Sequence, residues 1–281
     1  MAIIEQLPAE IIKELLVVDV FFDAKKITAV LDETKNKWKS AVFFQDKISA
    51  FRYCRGRKYN SVFLDSDVGF RNNIDLIALK LHSPQTILAV YEEGLGTYRN
   101  DLYRGLKKKI LPALGIGVYF GGNWLTQKLY LYSPDEYKKK IGKETCELVR
   151  IETPIPELIK NNEALIDRLF EIYALKSQII SRRDVSNESC DIYLSGWNID
   201  SKVVDSFPAI DSFRILKPHP HIKKIPERIW SQFEIVVSPS VPAEMLITVA
   251  SFLFAEVRVL HHGSSVMRYV NIENVKFRCV A

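Results

Sequence analysis

Short apolar runs alternate with amphipathic stretches through the first half of the chain. The runs Ala41–Phe44, Ser61–Leu64 and Thr86–Tyr91 are each followed by a polar residue. Runs of this kind are typical of strands that are buried under helices on both faces. Asn73–Leu81 and Leu102–Leu111 show helical spacing of apolar positions. Strands that alternate with helices predict an α/β protein with a parallel sheet.

The start of the chain is read as a helix followed by two strands. Met1–Leu16 repeats apolar residues at helical spacing, with an interruption at Pro8. Val17–Phe22 and Ile27–Leu31 are short apolar runs and predict strands. A domain of this type normally opens with a buried strand, and we find no such strand before the predicted helix.

The second half of the chain repeats the alternation after a proline-rich boundary. Thr153–Pro156 contains two prolines and predicts a break between domains at residues 1–152 and 153–281. Pro156–Lys176 has a continuous apolar face at helical spacing, which predicts one amphipathic helix. The other predicted elements are a helix at Ala243–Phe254 and strands at Leu129–Tyr132, Ile192–Leu194, Phe213–Leu216, Glu234–Val237 and Val257–Leu260.

The last four of these strands end in small, polar or ionisable residues. Ligands bind at the carboxyl ends of the strands in an open parallel sheet. The sequence therefore predicts a ligand crevice that is lined by Ser195–Trp197, Lys217–Pro220, Ser238–Glu244 and Gly263–Ser265.

Composition narrows the class of protein. The chain has 281 residues, of which 47% are hydrophobic and 26% are charged, a balance typical of folded globular chains. Its net charge of +5 is mild, and we expect no nucleic-acid partner. Four well-separated cysteines predict a reducing compartment. With no leader-like N-terminus and no apolar stretch of ~18 residues, we expect a cytoplasmic protein, either soluble or peripheral on the inner face of the membrane.

Two lysine runs and two tryptophans have competing interpretations. Lys107–Lys109 and Lys138–Lys140 are typical of solvated helix faces, and contact with an anionic membrane surface is the alternative. Trp124 and Trp197 lie near predicted strand ends. Core packing is the simpler interpretation of both, and stacking on a sugar ring is the other.

The turn Glu92-Glu93-Gly94 directly follows an apolar strand. Adjacent carboxylates raise each other's pKa when they are partly desolvated, which makes a better general base. Gly94 would allow a sharp turn and the close approach of a ligand. A turn whose carboxylates are simply solvated is an equally good interpretation of the same residues. Asp65 and Asp67, in a D-x-D triplet, are a weaker candidate pair, with metal binding as one interpretation.

Three features of the second half suit a phosphorylated ligand. In Lys217-Pro218-His219-Pro220, two prolines fix the direction of an imidazole that could contact or protonate a leaving phosphate. Ser264 and Ser265 follow a glycine at a predicted helix start, where they would bind phosphate or simply cap the helix. Glu244 lies in the first turn of a predicted helix and would either complement the helix dipole or bind ribose hydroxyls.

The order and spacing of these motifs resemble a known group of enzymes. Glu92-Glu93-Gly94, His219-Pro220, Glu244 and Ser264-Ser265 resemble the D/E-D/E-G, HP and serine motifs of bacterial sialyltransferases. The resemblance spans roughly residues 85 to 270, and its first motif looks most like the lipooligosaccharide group. It implies a GT-B fold, in which two Rossmann-like domains face each other across a cleft. It also implies inverting, metal-independent transfer of sialic acid from CMP-sialic acid to a galactose-type acceptor of a lipooligosaccharide or capsule.

The resemblance also implies roles for individual residues. Glu93, favoured over Glu92, would take the proton from the acceptor hydroxyl, and His219 would contact and protonate the departing CMP phosphate. No metal or other cofactor is expected. The nucleotide set would comprise Lys217, Pro220, Ser238, Glu244 (on the ribose), and Ser264 and Ser265 (on the phosphate).

Two alternatives stay open at this stage. One is a GT-B glycosyltransferase that uses another nucleotide sugar, such as CMP-Kdo or a UDP-sugar. The other is a protein that binds nucleotides or glycans without catalysis.

Overall fold

The structure is a computed structural model that describes residues 2–20, 23–34, 37–182, 189–205, 207, 212–222 and 224–280. In chain order, its helices and strands are α1 (Ala2–Gln6), β1 (Glu14–Val18), α2 (Ala24–Thr34), β2 (Ser40–Phe44), α3 (Lys47–Arg55), β3 (Ser61–Leu64), α4 (Phe70–His82), β4 (Ile87–Tyr91), α5 (Gly105–Ala113), β5 (Lys128–Leu131), α6 (Pro134–Ile141), β6 (Glu147–Arg150), α7 (Ile155–Asn161), α8 (Glu163–Phe170), α9 (Ile172–Arg182), β7 (Ser189–Leu194), α10 (Ser201–Asp205), β8 (Phe213–Lys217), α11 (Glu227–Trp230), β9 (Ile235–Val236), α12 (Ala243–Leu253), β10 (Glu256–His261), α13 (Val266–Tyr269) and β11 (Val275–Cys279).

The chain divides into two compact units. The domain boundaries predicted from the sequence, 1–152 and 153–281, stay a prediction. Near the start of the chain, short segments alternate between the two units. The first comprises Met1–Ile11, Leu16–Val18 and Phe44–Glu152, and the second comprises Ile12–Leu15, Asp19–Phe43 and Thr153–Ala281.

The first unit is built on a parallel sheet with the strand order β3-β4-β5-β6. Helix α4 connects β3 to β4, and its Leu76 and Leu79 share one face and are fully buried. They belong to one core cluster with Leu88 and Val90 of β4 and Leu129 of β5. Because all four strands are parallel, the residues that follow β3, β4 and β5 lie at the same edge of the sheet.

The second unit is built on a five-stranded parallel sheet with the order β11-β10-β7-β8-β9. The chain runs outward from β7 to β9 and then returns through α12 to β10, on the other side of β7. This is the strand order of a doubly wound, Rossmann-like fold, and its switch point lies between β7 and β10. Helix α12 is apolar on all sides, and Met245 to Ser251 are all buried in it.

Most of the predicted strands are confirmed to within one or two residues. The predicted mixed α/β class with parallel sheets is also confirmed. Strands β1 and β2 form a separate two-stranded sheet. No helix of the described residues has the length and apolar character that crossing a membrane requires.

The predictions for the start of the chain are largely wrong. The helix predicted for Met1–Leu16 ends at Gln6, because Pro8 disfavours helical backbone in the residue before it. Glu14–Val18 is a strand, so only two residues of the predicted strand Val17–Phe22 are in β1. Phe21 and Phe22 lie outside the described residues.

Two other predicted elements differ from the structure. Ile27–Leu31 was predicted as a strand and is part of α2, whose buried residues recur at helical spacing. The single helix predicted for Pro156–Lys176 is divided into α7, α8 and α9. The second break falls at Glu171, whose left-handed backbone (φ of 54°) cannot continue a helix.

Candidate functional site

The acidic turn lies at the carboxyl edge of the first unit's sheet. Glu92 and Glu93 follow β4, and Asp65 follows the neighbouring parallel strand β3. Gly94 has a φ of 113°, a backbone conformation that favours glycine. The sharp turn that we predicted at Gly94 is therefore confirmed.

The side chain of Glu92 is held in place by two hydrogen bonds. Its Oε2 accepts one from Tyr98 Oη at 2.5 Å and one from the backbone N–H of Tyr132 at 2.8 Å. Burial and the bond to Glu92 raise the pKa of Tyr98, so its phenol stays a donor. Tyr98 Oη in turn accepts a hydrogen bond from the N–H of Ser133 at 3.1 Å. Glu92 thus ties the turn to the chain that follows β5.

The Glu93 side chain is exposed, and its contacts differ from those of Glu92. Its backbone N–H donates to Thr97 Oγ1 at 3.0 Å, while its carboxylate accepts no hydrogen bond from the residues that the structure describes. Partial desolvation raises the pKa of Glu93, and the charge of Asp65 raises it further. The prediction that the adjacent Glu92 causes such a rise is wrong, because the rise comes from desolvation and from the charge of Asp65.

A basic residue that the sequence did not reveal completes this acidic cluster. Lys47 Nζ lies 2.9 Å from Asp65 Oδ1, and its charge partly offsets the rise in the pKa of Glu93. Burial, Asp65 and Glu93 together raise the pKa of Tyr91 to about 12. The cluster therefore comprises one open carboxylate, one carboxylate paired with a lysine, and a protonated phenol.

Asp67 of the predicted D-x-D triplet is a structural residue. It is fully buried, and its carboxylate accepts hydrogen bonds from Gly121 N, Asn123 N and Thr126 Oγ1 at 3.0, 3.1 and 2.7 Å. Its oxygens are thus occupied by protein donors. Among the described residues, no group of three or more His, Cys, Asp or Glu side chains is arranged to hold a metal ion.

The loops predicted to line a crevice follow β7, β8, β9 and β10, and so they share one edge of the second unit's sheet. The HP motif follows β8. The backbone N–H of His219 donates to Ser195 Oγ, at the end of β7, at 2.9 Å. Burial is the main cause that lowers the pKa of His219, with smaller effects from His221 and Lys217. Pro220 is exposed beside it.

The ring of His219 stacks with two other rings. The ring of Trp197 lies 4.9 Å from that of His219 and 4.5 Å from that of His221, and the two imidazoles are 5.1 Å apart. Trp197 is nonetheless 70% exposed, and Trp124 is 65% exposed. Core packing, our simpler interpretation of both tryptophans, is therefore wrong. Their open faces make stacking on a ligand sterically feasible.

Lys217 and Glu244 are two ionisable residues at this edge whose pKa values are shifted by burial. Lys217 is buried, and its Nζ donates to the carbonyl oxygens of Pro218 and Pro239 at 2.9 and 3.1 Å. Burial lowers the pKa of Lys217 to about 8, although the charge of Glu244 opposes that shift. Burial likewise raises the pKa of Glu244, which lies in the first turn of α12 as predicted.

The serine pair lies next to two histidines after β10. The backbone N–H of Ser264 donates to Nδ1 of the buried His261 at 3.1 Å, and Ser264 Oγ accepts a hydrogen bond from Val266 N at 3.3 Å. Ser265 is the N-cap of α13, but its side chain makes no capping hydrogen bond. The Nε2 of His262 is 2.9 Å from Tyr193 Oη.

Ser238 and Pro239 border a small cavity beside the loop that follows β8. The Oγ atoms of Ser238 and Ser240 are 2.8 Å apart. The cavity has a volume of about 230 Å³ and is mainly apolar. It is lined by Pro218, Ile222, Ile225, Trp230, Val236, Val237, Ser238 and Pro239.

The predicted residues therefore fall into two groups. Glu92 and Glu93 lie in the first unit, at the carboxyl edge of its sheet. The predicted nucleotide set and His219 lie at the carboxyl edge of the sheet in the second unit. Ser195, His221 and His262 also lie there. Ser195 was included in the predicted crevice, whereas the contacts of His221 with Trp197 and of His262 with Tyr193 were not predicted, because no local sequence pattern links these residues.

Comparisons with known proteins leave the family open. No protein-family model and no curated relative matches the sequence. Among solved structures, the chain is similar to the apo-structure of D-lactate dehydrogenase from Escherichia coli, with 10% sequence identity over 94% of this chain and 88% of that chain. The TM-score is 0.21, so this likeness supports no inference about fold or function.

Proposed function

We propose that the chain is an inverting, metal-independent glycosyltransferase that moves sialic acid from CMP-sialic acid to a galactose-type acceptor of a bacterial surface glycan. The main structural support is the difference between the two adjacent glutamates. Glu92 is fixed by Tyr98 and Tyr132, whereas Glu93 is open to solvent and has a raised pKa. An accessible carboxylate with a raised pKa suits a general base. The donor assignment follows from the motif resemblance.

In the proposed reaction, Glu93 removes the proton from the acceptor hydroxyl. The acceptor oxygen forms a bond to the anomeric carbon as the bond from that carbon to the CMP phosphate oxygen breaks. The electron pair of the broken bond leaves with CMP, and His219 stabilises the phosphate and donates a proton to it. A single displacement of this kind inverts the configuration at the anomeric carbon.

The second unit supplies the proposed donor site. Its doubly wound strand order favours ligand binding at the carboxyl edge, around the switch point. We assign Glu244 to the ribose, Ser264 and Ser265 to the phosphate, and Lys217, Pro220 and Ser238 to the remainder of the nucleotide set. The proposal includes a GT-B arrangement, in which the donor and acceptor sites face each other across a cleft.

Transfer assays on two matched carboxylate variants test the base assignment. Glu93→Gln should lower kcat by about 10²- to 10⁴-fold and leave CMP binding unchanged. Glu147→Gln is the control, because Glu147 begins β6 and so lies at the opposite edge of the same sheet. Full turnover by Glu93→Gln would refute the role of Glu93. Loss of turnover only in Glu92→Gln, with its folding intact, would transfer that role to Glu92.

Nucleotide protection tests the donor assignment against other nucleotide sugars. CMP should raise the thermal unfolding temperature, and UMP or UDP should not, because binding to the folded state alone stabilises it. His219→Ala should weaken this protection or lower turnover, whereas His82→Ala, at an exposed position in the other unit, should do neither. Protection by UDP without protection by CMP would contradict the sialyl assignment. CMP protection with no turnover on any galactoside would favour the non-catalytic alternative.

A further inference from the structure

Helix α5 of the first unit has no buried residue along its nine positions. Leu106 and Ile110 are 70% and 47% exposed, and Leu114, directly after the helix, is 63% exposed. Residues four apart lie on the same side of a helix, so these three form one apolar stripe. An isolated helix of this length is only marginally stable in water. The stripe therefore presents an apolar surface that the rest of its unit does not cover.

Trp124 extends the stripe beyond the end of the helix. A Cβ atom placed on Gly115, the residue after Leu114, would lie only 2.6 Å from the Cδ1 of Trp124, so the indole packs directly on this glycine. The indole is nevertheless mostly exposed. Tryptophan is enriched at the boundary between lipid and water, because its ring is apolar and its N–H is polar.

The charges of this surface are uncompensated. Lys107, Lys108 and Lys109 are exposed, and none of them takes part in an ion pair among the described residues. The other lysine run behaves differently, since Lys138 pairs with Glu144 at 3.2 Å and Lys140 pairs with Glu136 at 2.8 Å. Free positive charge is therefore concentrated next to the apolar stripe and not spread over both runs.

We propose that the α5 surface, defined as Leu106, Lys107–Lys109, Ile110, Leu114 and Trp124, binds a bilayer that contains anionic lipids. The apolar side chains would enter the boundary between headgroups and acyl chains, and the lysines would attract the anionic headgroups. The phosphates of a nucleic acid would pair with the lysines, but the apolar stripe would stay exposed to water. The combination of both features therefore favours lipid.

Vesicle sedimentation of the full chain tests this proposal without reference to transfer activity. The wild type should sediment with vesicles of phosphatidylcholine and phosphatidylglycerol, and not with phosphatidylcholine alone. Changing Lys107, Lys108 and Lys109 to Gln should lower the partition coefficient about 100-fold, since each lysine near an anionic surface contributes about fivefold. Added salt should weaken wild-type binding.

The second lysine run provides a matched control. Changing Lys138, Lys139 and Lys140 to Gln removes the same formal charge from the same unit, and this variant should bind the vesicles like the wild type. Equal losses in the two triple variants would show that only net charge matters, and would overturn the proposal. Failure of the wild type to bind anionic vesicles would overturn it as well, and binding of duplex DNA in its place would point to a nucleic-acid surface.

The apolar half of the proposal has its own test. The double change Leu106→Ser and Ile110→Ser should lower vesicle binding about tenfold or more with little effect on folding, because both side chains are already exposed.

Brominated lipids should quench the fluorescence of the wild type, and this quenching should be lost in Trp124→Phe. Unchanged quenching in Trp124→Phe would show that another tryptophan meets the lipid, and would contradict the assigned surface.

Discussion

At Glu93 and His219, the protein shifts two pKa values toward each other. Partial desolvation and Asp65 raise the pKa of Glu93, and burial, His221 and Lys217 lower the pKa of His219. A base must be deprotonated, so turnover should rise with pH through the pKa of Glu93. A proton donor must be protonated, so turnover should fall through the pKa of His219. We predict a bell-shaped profile of kcat/KM with its maximum below pH ~6.5, the ordinary pKa of histidine.

Two variants identify the group that causes each limb of this pH profile. Residual activity of Glu93→Gln should lack the acidic limb, and residual activity of His219→Ala should lack the alkaline limb. A maximum well above neutral pH, or limbs that neither variant alters, would show that other groups control the reaction.

Burial of Lys217 makes stability depend on pH. Its pKa is lowered from 10.5 to about 8 in the folded protein, so the unfolded chain binds more protons between these two values. Stability must then rise with pH across this window, and the cost of the buried charge is fully present below pH 8. Urea unfolding of the wild type and Lys217→Met measures this cost. The difference in unfolding free energy should shift by about 2–3 kcal/mol in favour of the wild type between pH ~7 and ~10.

A pH-independent difference between these two proteins would contradict this prediction. It would mean that Lys217 keeps an ordinary pKa in the folded state. Taking the difference between the two proteins removes the contributions of the other titrating groups, because both proteins contain them.

The sequence predicted the positions of these residues better than their surroundings. Glu93, His219 and Glu244 could be found because each follows an apolar strand and so must lie at a sheet edge. The partners could not be found, since the rest of α3, a loop and β3 lie between Lys47 and Asp65, and no local pattern links the two residues. The phenol of Tyr98 reaches Glu92 only because the intervening turn folds back.

At the scale of elements, the turn before β5 depends on a glycine that has no room for a side chain. Gly121 and Gly142 have nearly the same left-handed backbone, with φ values of 74° and 70°. A Cβ atom on Gly121 would lie 2.9 Å from Leu129 Cδ2 and 3.0 Å from Cys146 Sγ, whereas a Cβ atom on Gly142 would meet nothing within 4 Å. Leu129 is fully buried and cannot move aside easily.

These two glycines form a matched pair for a stability measurement. Gly142→Ala should cost about 1 kcal/mol in backbone strain alone. Gly121→Ala should cost about 2–4 kcal/mol, because steric overlap in the core adds to the same strain. Urea unfolding of both variants gives the comparison. Equal costs would mean that the core around Leu129 yields without penalty.

Strands that are buried on both faces were predicted better than elements that are buried on one face only. The central strand β4 is a continuous apolar run, and its extent could be read from the sequence to within one residue. Strand β7 begins with Ser189, Cys190 and Asp191, so its predicted start at Ile192 was three residues late. The residues Ile27 to Leu31 are also largely apolar, yet they belong to α2, in which Ile27, Thr28 and Leu31 are buried. A short apolar run fits either a strand or a buried helix face, and tertiary packing decides between them.

At the scale of the whole molecule, the protein has two α/β units, each with its own parallel sheet, and we propose different tasks for them. The first carries the open carboxylate at Glu93, and the second carries the histidine, lysine and hydroxyl groups that suit a phosphorylated donor. Neither group of residues alone explains sialyl transfer. The α5 surface adds a proposed site of attachment to the membrane, which can fail without affecting the catalytic proposal.

The most direct test of the central claim is to follow the reaction products by NMR. The protein is incubated with CMP-sialic acid and lactose in the presence of EDTA. We predict one CMP released for each new sialyl–galactose linkage, with the anomeric configuration opposite to that in the donor. A product that retains the donor configuration, or no product from CMP-sialic acid with lactose or any other galactoside, would contradict the account.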